Sequence, residues 1–444
     1  MSQPQESQSE SNRRGFLQAG SALAAGAAAL GTLPISRAAH TFSSDEIKIG
    51  LIGCGGRGTG AAQQALDTYS ETNRVKLTAV ADPFDFRIEQ ALKGMGKYEG
   101  KVDVANSTFV GVNAYKQLLE SDVDLVILTT PPGFRPMHFE AAINAGKHVF
   151  MEKPVAVDAP GVRRVLAANK IAKEKKLAVA VGLQRRHESG YQATIKQLKD
   201  GVIGDIILTR AYWNGDGVWN RERTPEQSEL EYQINNWYYF NWLSGDHITE
   251  QHIHNLDVIN WLMDGPPETA QGQGGRQVRT GKGTGQIYDH HMVEYTYKNG
   301  VRMISQCRHI PGCWSTVDEY AHGSKGWCHI GAGKIYDRNN KVIWEAPRNE
   351  NGWAKEHFDL FAAIRNGDIP NEGDYGAYST MTSVMGRIAT YTGKVVTWDQ
   401  CLNSEISLAN TDAIESFSSE APLQPDENGM YWVPTPGRDT DLVV

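Results

Sequence analysis

Ile47-Lys48-Ile49-Gly50-Leu51-Ile52-Gly53-Cys54-Gly55-Gly56-Arg57-Gly58 is the stretch that decides the fold. Its first six residues form a short, mostly apolar, β-branched run, which reads as a buried parallel strand. The run feeds a G-x-G-x-x-G, and a helical stretch follows from Thr59 to Tyr69. Gly53 permits the tight turn, Gly55 lets the backbone approach a pyrophosphate, and Gly58 lets the helix pack close to the strand. Gly56 and Arg57 complete the loop, whose first-turn N–H groups and helix dipole suit phosphate. A second strand, Val75 to Ala81, ends at Asp82, where the fingerprint places an acceptor for a ribose 2′-OH. A carboxylate there repels a 2′-phosphate and favours NAD(H) over NADP(H), a preference that the nearby Arg87 weakens without reversing.

Further βα units follow. Asp124 to Thr130 reads as a strand ending in Pro131-Pro132. Pro136 to Ala145 reads as a helix closed by Gly146, His148 to Met151 as a strand ending in Glu152-Lys153-Pro154, and Ala178 to Leu183 as another strand. Alternating strands and helices imply a parallel sheet with right-handed crossovers, and ligands in such sheets sit at the carboxyl ends of the strands. Thr130, Pro131, Glu152 and Lys153 all lie at such ends. The second half reads differently. Ile206 to Trp213, His290 to Tyr297 and Val301 to Arg308 have strand character, and Lys298-Asn299-Gly300 makes a hairpin turn between the last two.

The 444 residues allow two or three domains. A net charge of -8 argues against nucleic acid or an anionic membrane as the main partner. The five cysteines show no C-x-x-C spacing, so neither a disulfide framework nor a zinc knuckle is expected. Residues 1–39 read as an address. Arg13-Arg14-Gly15-Phe16-Leu17 is followed by an apolar, Ala-rich segment and the small residues around Ser36-Arg37-Ala38-Ala39, which resembles a twin-arginine signal. Asn12 stands where that motif usually has Ser or Thr. Glycines and Pro34 break the segment, which makes it a poor permanent span. The expectation is a periplasmic or otherwise exported protein that folds around its cofactor before export, with no membrane contact after cleavage.

Gly53-x-Gly55-x-x-Gly58, Thr129-Thr130-Pro131-Pro132, Ala145-Gly146-Lys147-His148-Val149 and Glu152-Lys153-Pro154 together resemble the Gfo/Idh/MocA oxidoreductases. The resemblance runs on through Val181-Gly182-Leu183-Gln184-Arg185-Arg186 to Thr392-Gly393-Lys394 and covers roughly residues 46–400. It implies an α/β fold: an N-terminal Rossmann domain, then a C-terminal α/β domain with a large, mostly antiparallel sheet. The boundaries expected are 46–170 for the NAD-binding domain, 178–405 for the substrate and oligomerisation domain, and 406–444 for a polar extension. A homo-oligomer is expected because the family's open sheet face often pairs.

The resemblance also implies chemistry. Lys153 corresponds to the lysine that faces the reacting hydroxyl. The family's Asp-x-Gly-x-His-x-x-Asp helix is matched in spacing by Glu250-Gln251-His252-Ile253-His254-Asn255-Leu256-Asp257, with Glu250 for the first Asp and His252 for the Gly. Ile248 to Met263 has helical periodicity, so Glu250 and His254 are expected to share a face, with Asp257 one turn on. Oxidising an alcohol requires a hydride to leave carbon and a proton to leave oxygen. His254 is assigned as the acid/base and Lys153 as the donor to the same oxygen, with Glu250 and Asp257 supporting the imidazole.

Arg185, Trp213, Trp237 and His252 join Lys153 and His254 as candidate substrate contacts. Aromatic rings among amides and carboxylates suit a carbohydrate, although packing at an interface or a lid would explain them equally. His247, Glu250, His252 and His254 look ligand-rich. However, residues two apart on a helix point apart, so no metal is assigned. The expected function is hydride transfer between NAD(H) and a sugar, polyol or related carbohydrate. The alternatives are a redox-neutral glycoside hydrolase or epimerase working through transient oxidation, and a non-catalytic carbohydrate-binding protein.

Overall fold

The computed structural model describes residues 46–70 and 73–438. The twin-arginine segment and the rest of residues 1–39 lie outside the described residues. Six parallel strands form the first sheet: β1 (Glu46–Ile52), β2 (Arg74–Asp82), β3 (Thr108–Val110), β4 (Leu125–Leu128), β5 (His148–Met151) and β6 (Val179–Val181), in the order β3-β2-β1-β4-β5-β6. The chain leaves β1 for one edge and returns to β4 beside it. This order reversal opens a crevice at the strands' carboxyl ends, between the turns after β1 and β4. Ile49, Leu51, Val126 and Ile127 are fully buried, as continuous apolar strands in a two-faced parallel sheet must be.

Two expectations shift here. β6 belongs to the first sheet, pairing with β5, so the first domain reaches past the boundary at 170. A helix from the far end of the chain, Gly352–Asn366, also covers that sheet, burying Leu360, Phe361 and Ile364 in one cluster with Ile49 and Leu51. Sequence order suggested a clean division, but burial of the sheet's open face recruits a helix nearly 300 residues downstream.

The second sheet has nine strands: β7 (Ile206–Gly215), β8 (Thr269–Gly275), β9 (His290–Thr296), β10 (Arg302–His309), β11 (Thr316–Gly323), β12 (Gly326–His329), β13 (Lys334–Asp337), β14 (Val342–Glu345) and β15 (Val396–Thr397). Their order is β14-β13-β12-β11-β7-β10-β9-β8-β15, antiparallel throughout except for the parallel pair β7 and β10. Gly300, at φ 82, closes the β9–β10 hairpin at the expected Asn-Gly turn. The nearly all-buried helix Gly373–Thr392 packs against this sheet.

Over the described residues 406–438 the extension carries little regular structure yet is tied down at several points. Asp412 accepts from Arg164 at 2.6 Å, Asn113 donates to the Glu415 carbonyl at 3.1 Å, and Phe417 packs on Phe84 at 5.0 Å. Farther on, Ser228 donates to the Phe417 carbonyl at 2.9 Å, Gln233 to the Leu423 carbonyl at 2.6 Å, and Tyr431 to Glu229 at 2.7 Å. The tail thus stitches the first domain to residues 228–233. All five cysteines are free. Among the described residues no helix is long and apolar enough to cross a membrane.

Candidate active site

The glycine loop is built as its sequence requires. Gly53 sits at φ 99, and a Cβ there would lie 2.6 Å from the Thr130 backbone nitrogen. A Cβ on Gly58 would lie 1.9 Å from the Gly53 carbonyl oxygen, so only glycine lets the helix Gly56–Asp67 press against the turn. Gly55 and Gly56, by contrast, face open space. The helix has no side-chain cap and no acid in its first turn, which leaves its leading N–H groups for an anion. At the end of β2, Asp82 accepts from the Cys54 N–H at 2.7 Å and the Phe84 N–H at 2.9 Å. Burial pushes the Asp82 pKa up, and these N–H bonds oppose the shift.

A cleft of about 410 Å³ runs along this loop. Gly53, Gly55, Gly56, Arg57, Gly58, Asp82, Thr130 and Pro131 line its floor; Trp219, Arg221, Ile234, Asn235 and Trp237, from the second half of the chain, roof it. An open glycine face, uncapped helix N–H groups and an acid at the β2 end fit the pyrophosphate and ribose of a dinucleotide. Trp237 therefore contacts the cofactor cleft, packing edge-on to Trp219 at 6.0 Å.

Arg57 links the cleft to the chemical end. Its guanidinium pairs with Glu152, donates to Gln64 at 2.8 Å and reaches Glu356 at 3.4 Å. Next to Glu152, the Lys153 ammonium donates to the Glu250 side chain at 2.8 Å and to the Glu250 backbone carbonyl at 2.6 Å. That second bond bears on the helix expected over 248–263, which is not continuous. It forms as His247–Glu250 and Ile253–Leu262, with Gln251 and His252 between. The carbonyl that an unbroken helix would offer to the His254 N–H instead faces Lys153, and that N–H takes the Gln251 carbonyl at 3.3 Å. The break carries Glu250 to the lysine, where it orients the ammonium.

The His254 ring stacks on Trp213, with centroids 6.0 Å apart at 22°. Burial, and then the charges of Lys153, Arg185 and Arg57, hold its pKa well below the usual histidine value, so the imidazole is neutral. Nδ1 is buried without a partner. Arg185 is held by Glu319, which also accepts from Asn255 at 2.6 Å. The pKa of Glu319 is pushed up to about 6 by burial.

Two expected site residues are elsewhere. Asp257 faces away from His254: it makes a two-pronged pair with Arg186 at 2.8 Å and accepts from Ser379 at 2.7 Å. His252 is fully buried, bonded through Nε2 to Ser305 at 2.8 Å, with its pKa pushed down to about 3 by burial. The ring that replaces the family's glycine fills core space and is out of substrate reach.

One group among the described residues, Asp246, His247 and His291, brings ligand-type atoms within 4.8 Å of one another. Its carboxylate already accepts from the Tyr391 hydroxyl at 2.6 Å, the Tyr288 N–H at 2.9 Å and His247 Nδ1 at 2.7 Å. These bonds make the carboxylate part of a buried polar network, in which His247 Nε2 has no hydrogen-bond partner.

Comparison with known proteins gives the same division of the chain. A model of the "Oxidoreductase family, NAD-binding Rossmann fold" matches residues 47–183, and one of the "GFO/IDH/MocA C-terminal domain" matches residues 191–328. An inositol 2-dehydrogenase from Pseudomonas fluorescens is 30% identical over 221 residues, covering 49% of this chain and 55% of that protein. The matched part is thus about half the length of the curated relatives. Among solved structures, an oxidoreductase from Thermotoga maritima superimposes with a TM-score of 0.63 at 21% identity, over 81% of this chain and 100% of that one. A scyllo-inositol dehydrogenase from Lactobacillus casei, solved with NAD(H) and scyllo-inositol, gives 0.61 at 20%, over 80% and 100%. At these identities the two structures speak to the fold alone.

Proposed function

The chain belongs to the Gfo/Idh/MocA oxidoreductases, and from that premise we propose that it oxidises or reduces a ring alcohol of a sugar or polyol with NAD(H) in the roofed cleft. One observation carries the reading. A glycine-loop cleft made for a dinucleotide adjoins a lysine held by Glu250, and a neutral histidine is within reach of that lysine's charge. Relatives named inositol 2-dehydrogenase favour a polyhydroxylated ring.

The loop N–H groups, Arg57 and Asp82 would hold NAD(H), which when bound would supply the acceptor for the hydride of the carbinol carbon. Lys153 donates to the reacting oxygen and stabilises the negative charge that builds there, while Glu250 fixes the ammonium's position. His254 takes the hydroxyl proton at Nε2; being neutral, it can do so at pH 7. Trp213 backs the imidazole and offers a flat face to the sugar.

A second reading rests on the roof of the cleft and on the tail that ties the first domain to residues 228–233, which together suit a dinucleotide retained from one turnover to the next. Such a protein, exported by the twin-arginine route to the periplasm, would return the hydride within each cycle. It would do so either to a second carbohydrate or to the same one after an elimination, as in a hydrolase or epimerase. A homo-oligomer pairing through the second sheet is part of this proposal.

The test is to denature the purified protein, identify any released dinucleotide, and follow 340 nm absorbance with a polyol panel. Bound NAD(H) with a net rise supports a dehydrogenase. Bound NAD(H) with aryl-glycoside cleavage and no net rise supports the closed cycle. No dinucleotide bound or added, and no turnover, removes both.

A further inference from the structure

Gln251 stands in the break between the two short helices, one residue after Glu250 and three before His254. Its Oε1 lies 2.7 Å from His309 Nε2, and His309 Nδ1 lies 2.7 Å from an Arg279 guanidinium nitrogen. A guanidinium has no acceptor atom and can only donate. His309 Nδ1 is therefore the acceptor, the ring proton sits on Nε2, and the atom facing it from Gln251 must be the carbonyl oxygen. The direction of both bonds is fixed by chemistry at one end of the chain.

That end is anchored. Arg279 is buried; its second guanidinium nitrogen donates to the Tyr288 carbonyl at 2.6 Å, and its backbone N–H to Asp289 at 3.0 Å. His309 is clamped between His247, 4.4 Å away, and Tyr238, 6.0 Å away. Burial and the Arg279 charge push the His309 pKa down, which keeps the ring neutral and the chain in one direction. The consequence falls on the other half of the amide. Among the described residues the Gln251 NH2 donates to no protein group, and it is not buried.

We propose that Gln251 is a substrate-gripping residue whose NH2 group, turned outward by the Arg279–His309 chain, donates to a hydroxyl oxygen next to the reacting carbon. The inference rests on the oxidoreductase reading and deepens it. The substrate must present an acceptor oxygen at that position, so a deoxy or ammonium-bearing ring is disfavoured there. Arg279 and His309 are positioning residues, since they act through the amide.

The decisive variant is Gln251→Glu. Its carboxylate still accepts from His309 Nε2, so the internal chain and the fold are kept, while the NH2 donors become a charged oxygen. The probe is whichever of myo-inositol, D-glucose and D-xylose the wild-type protein oxidises fastest at 340 nm. The expected result is a KM raised about tenfold or more, a smaller change in kcat and unchanged dinucleotide content. Nitrogen-15 spectra of histidine-labelled protein are expected to show His309 protonated on Nε2. A KM within about twofold of wild type, or a proton on Nδ1, overturns the proposal. A wild-type protein that turns over none of the three with NAD bound or added removes the oxidoreductase reading and this inference together.

Discussion

The two ends of the site are made by opposite means. The dinucleotide end is backbone: a turn at Gly53, a close approach at Gly58 and exposed N–H groups, with Asp82 pinned by two more N–H bonds. The chemical end is side chains held by other side chains: Lys153 by Glu250, Arg57 by Glu152, Arg185 by Glu319 and Gln251 by His309. The backbone site admits no Cβ at Gly53 or Gly58. A side-chain site tolerates changes of size but depends on every partner. Mutation should therefore split binding from chemistry along this line.

The largest expected effect is at the chemical end. Lys153→Ala and His254→Ala are each expected to cut kcat by about 10²–10⁴-fold while leaving dinucleotide content unchanged. Released dinucleotide and initial rate, measured on the same preparation, check this. Gly58→Ala is the mirror experiment. A Cβ 1.9 Å from a carbonyl oxygen forces the loop open, so bound dinucleotide is lost even though no reacting group has been touched. If both kinds of variant lose cofactor equally, the division of labour is wrong.

A smaller effect sharpens the line. Glu250→Gln keeps an oxygen and its carbonyl for Lys153 but removes the charge. About a tenfold loss in kcat is expected, with recovery in Glu250→Asp below that of wild type because the shorter chain falls short of the ammonium. Deleting residues 410–438 should leave chemistry intact and speed dinucleotide loss in dialysis severalfold, because the ties from Phe417, Leu423 and Tyr431 to the floor and roof are gone.

The pH dependence is the mildest test. His254 is held below the ordinary histidine value, so the acid limb of kcat should fall below about pH 6.5. Stability follows the same sign. His138, His252 and His357 are buried neutral, each pushed down to about 3. The unfolded chain therefore binds more protons between that value and about 6.5, and this contribution is complete above pH 6.5 and lost as pH falls toward 3. Thermal melts from pH 7 to pH 4 should fall monotonically.

The same contrast explains what could be read in advance. The backbone end was legible in the sequence because glycine spacing, an apolar run and one acid at a strand end carry local rules with few alternatives. The chemical end was legible in its residue types but not in its pairings. Spacing placed Glu250, His254 and Asp257 on one helix, yet the helix breaks after Glu250, whose carbonyl accepts from Lys153, 97 residues earlier. Asp257 turns to Arg186, and His252 fills core beside Ser305, since tertiary partners outweigh position on an ideal helix. Gln251 and Glu319 gave little signal, for each gains its role from a partner far away in sequence. Arg185 was found by motif, but its partner Glu319 was not.

We propose that one cleft brings a bound dinucleotide to Lys153 and His254. The most direct measurement is single-turnover reduction of the cofactor in wild-type, Lys153→Ala and His254→Ala proteins, each scaled to the dinucleotide it releases on denaturation. Near-equal dinucleotide is expected in all three, with a 340 nm rise on adding polyol in the wild type alone. A full-amplitude, wild-type-speed rise in either variant would contradict it.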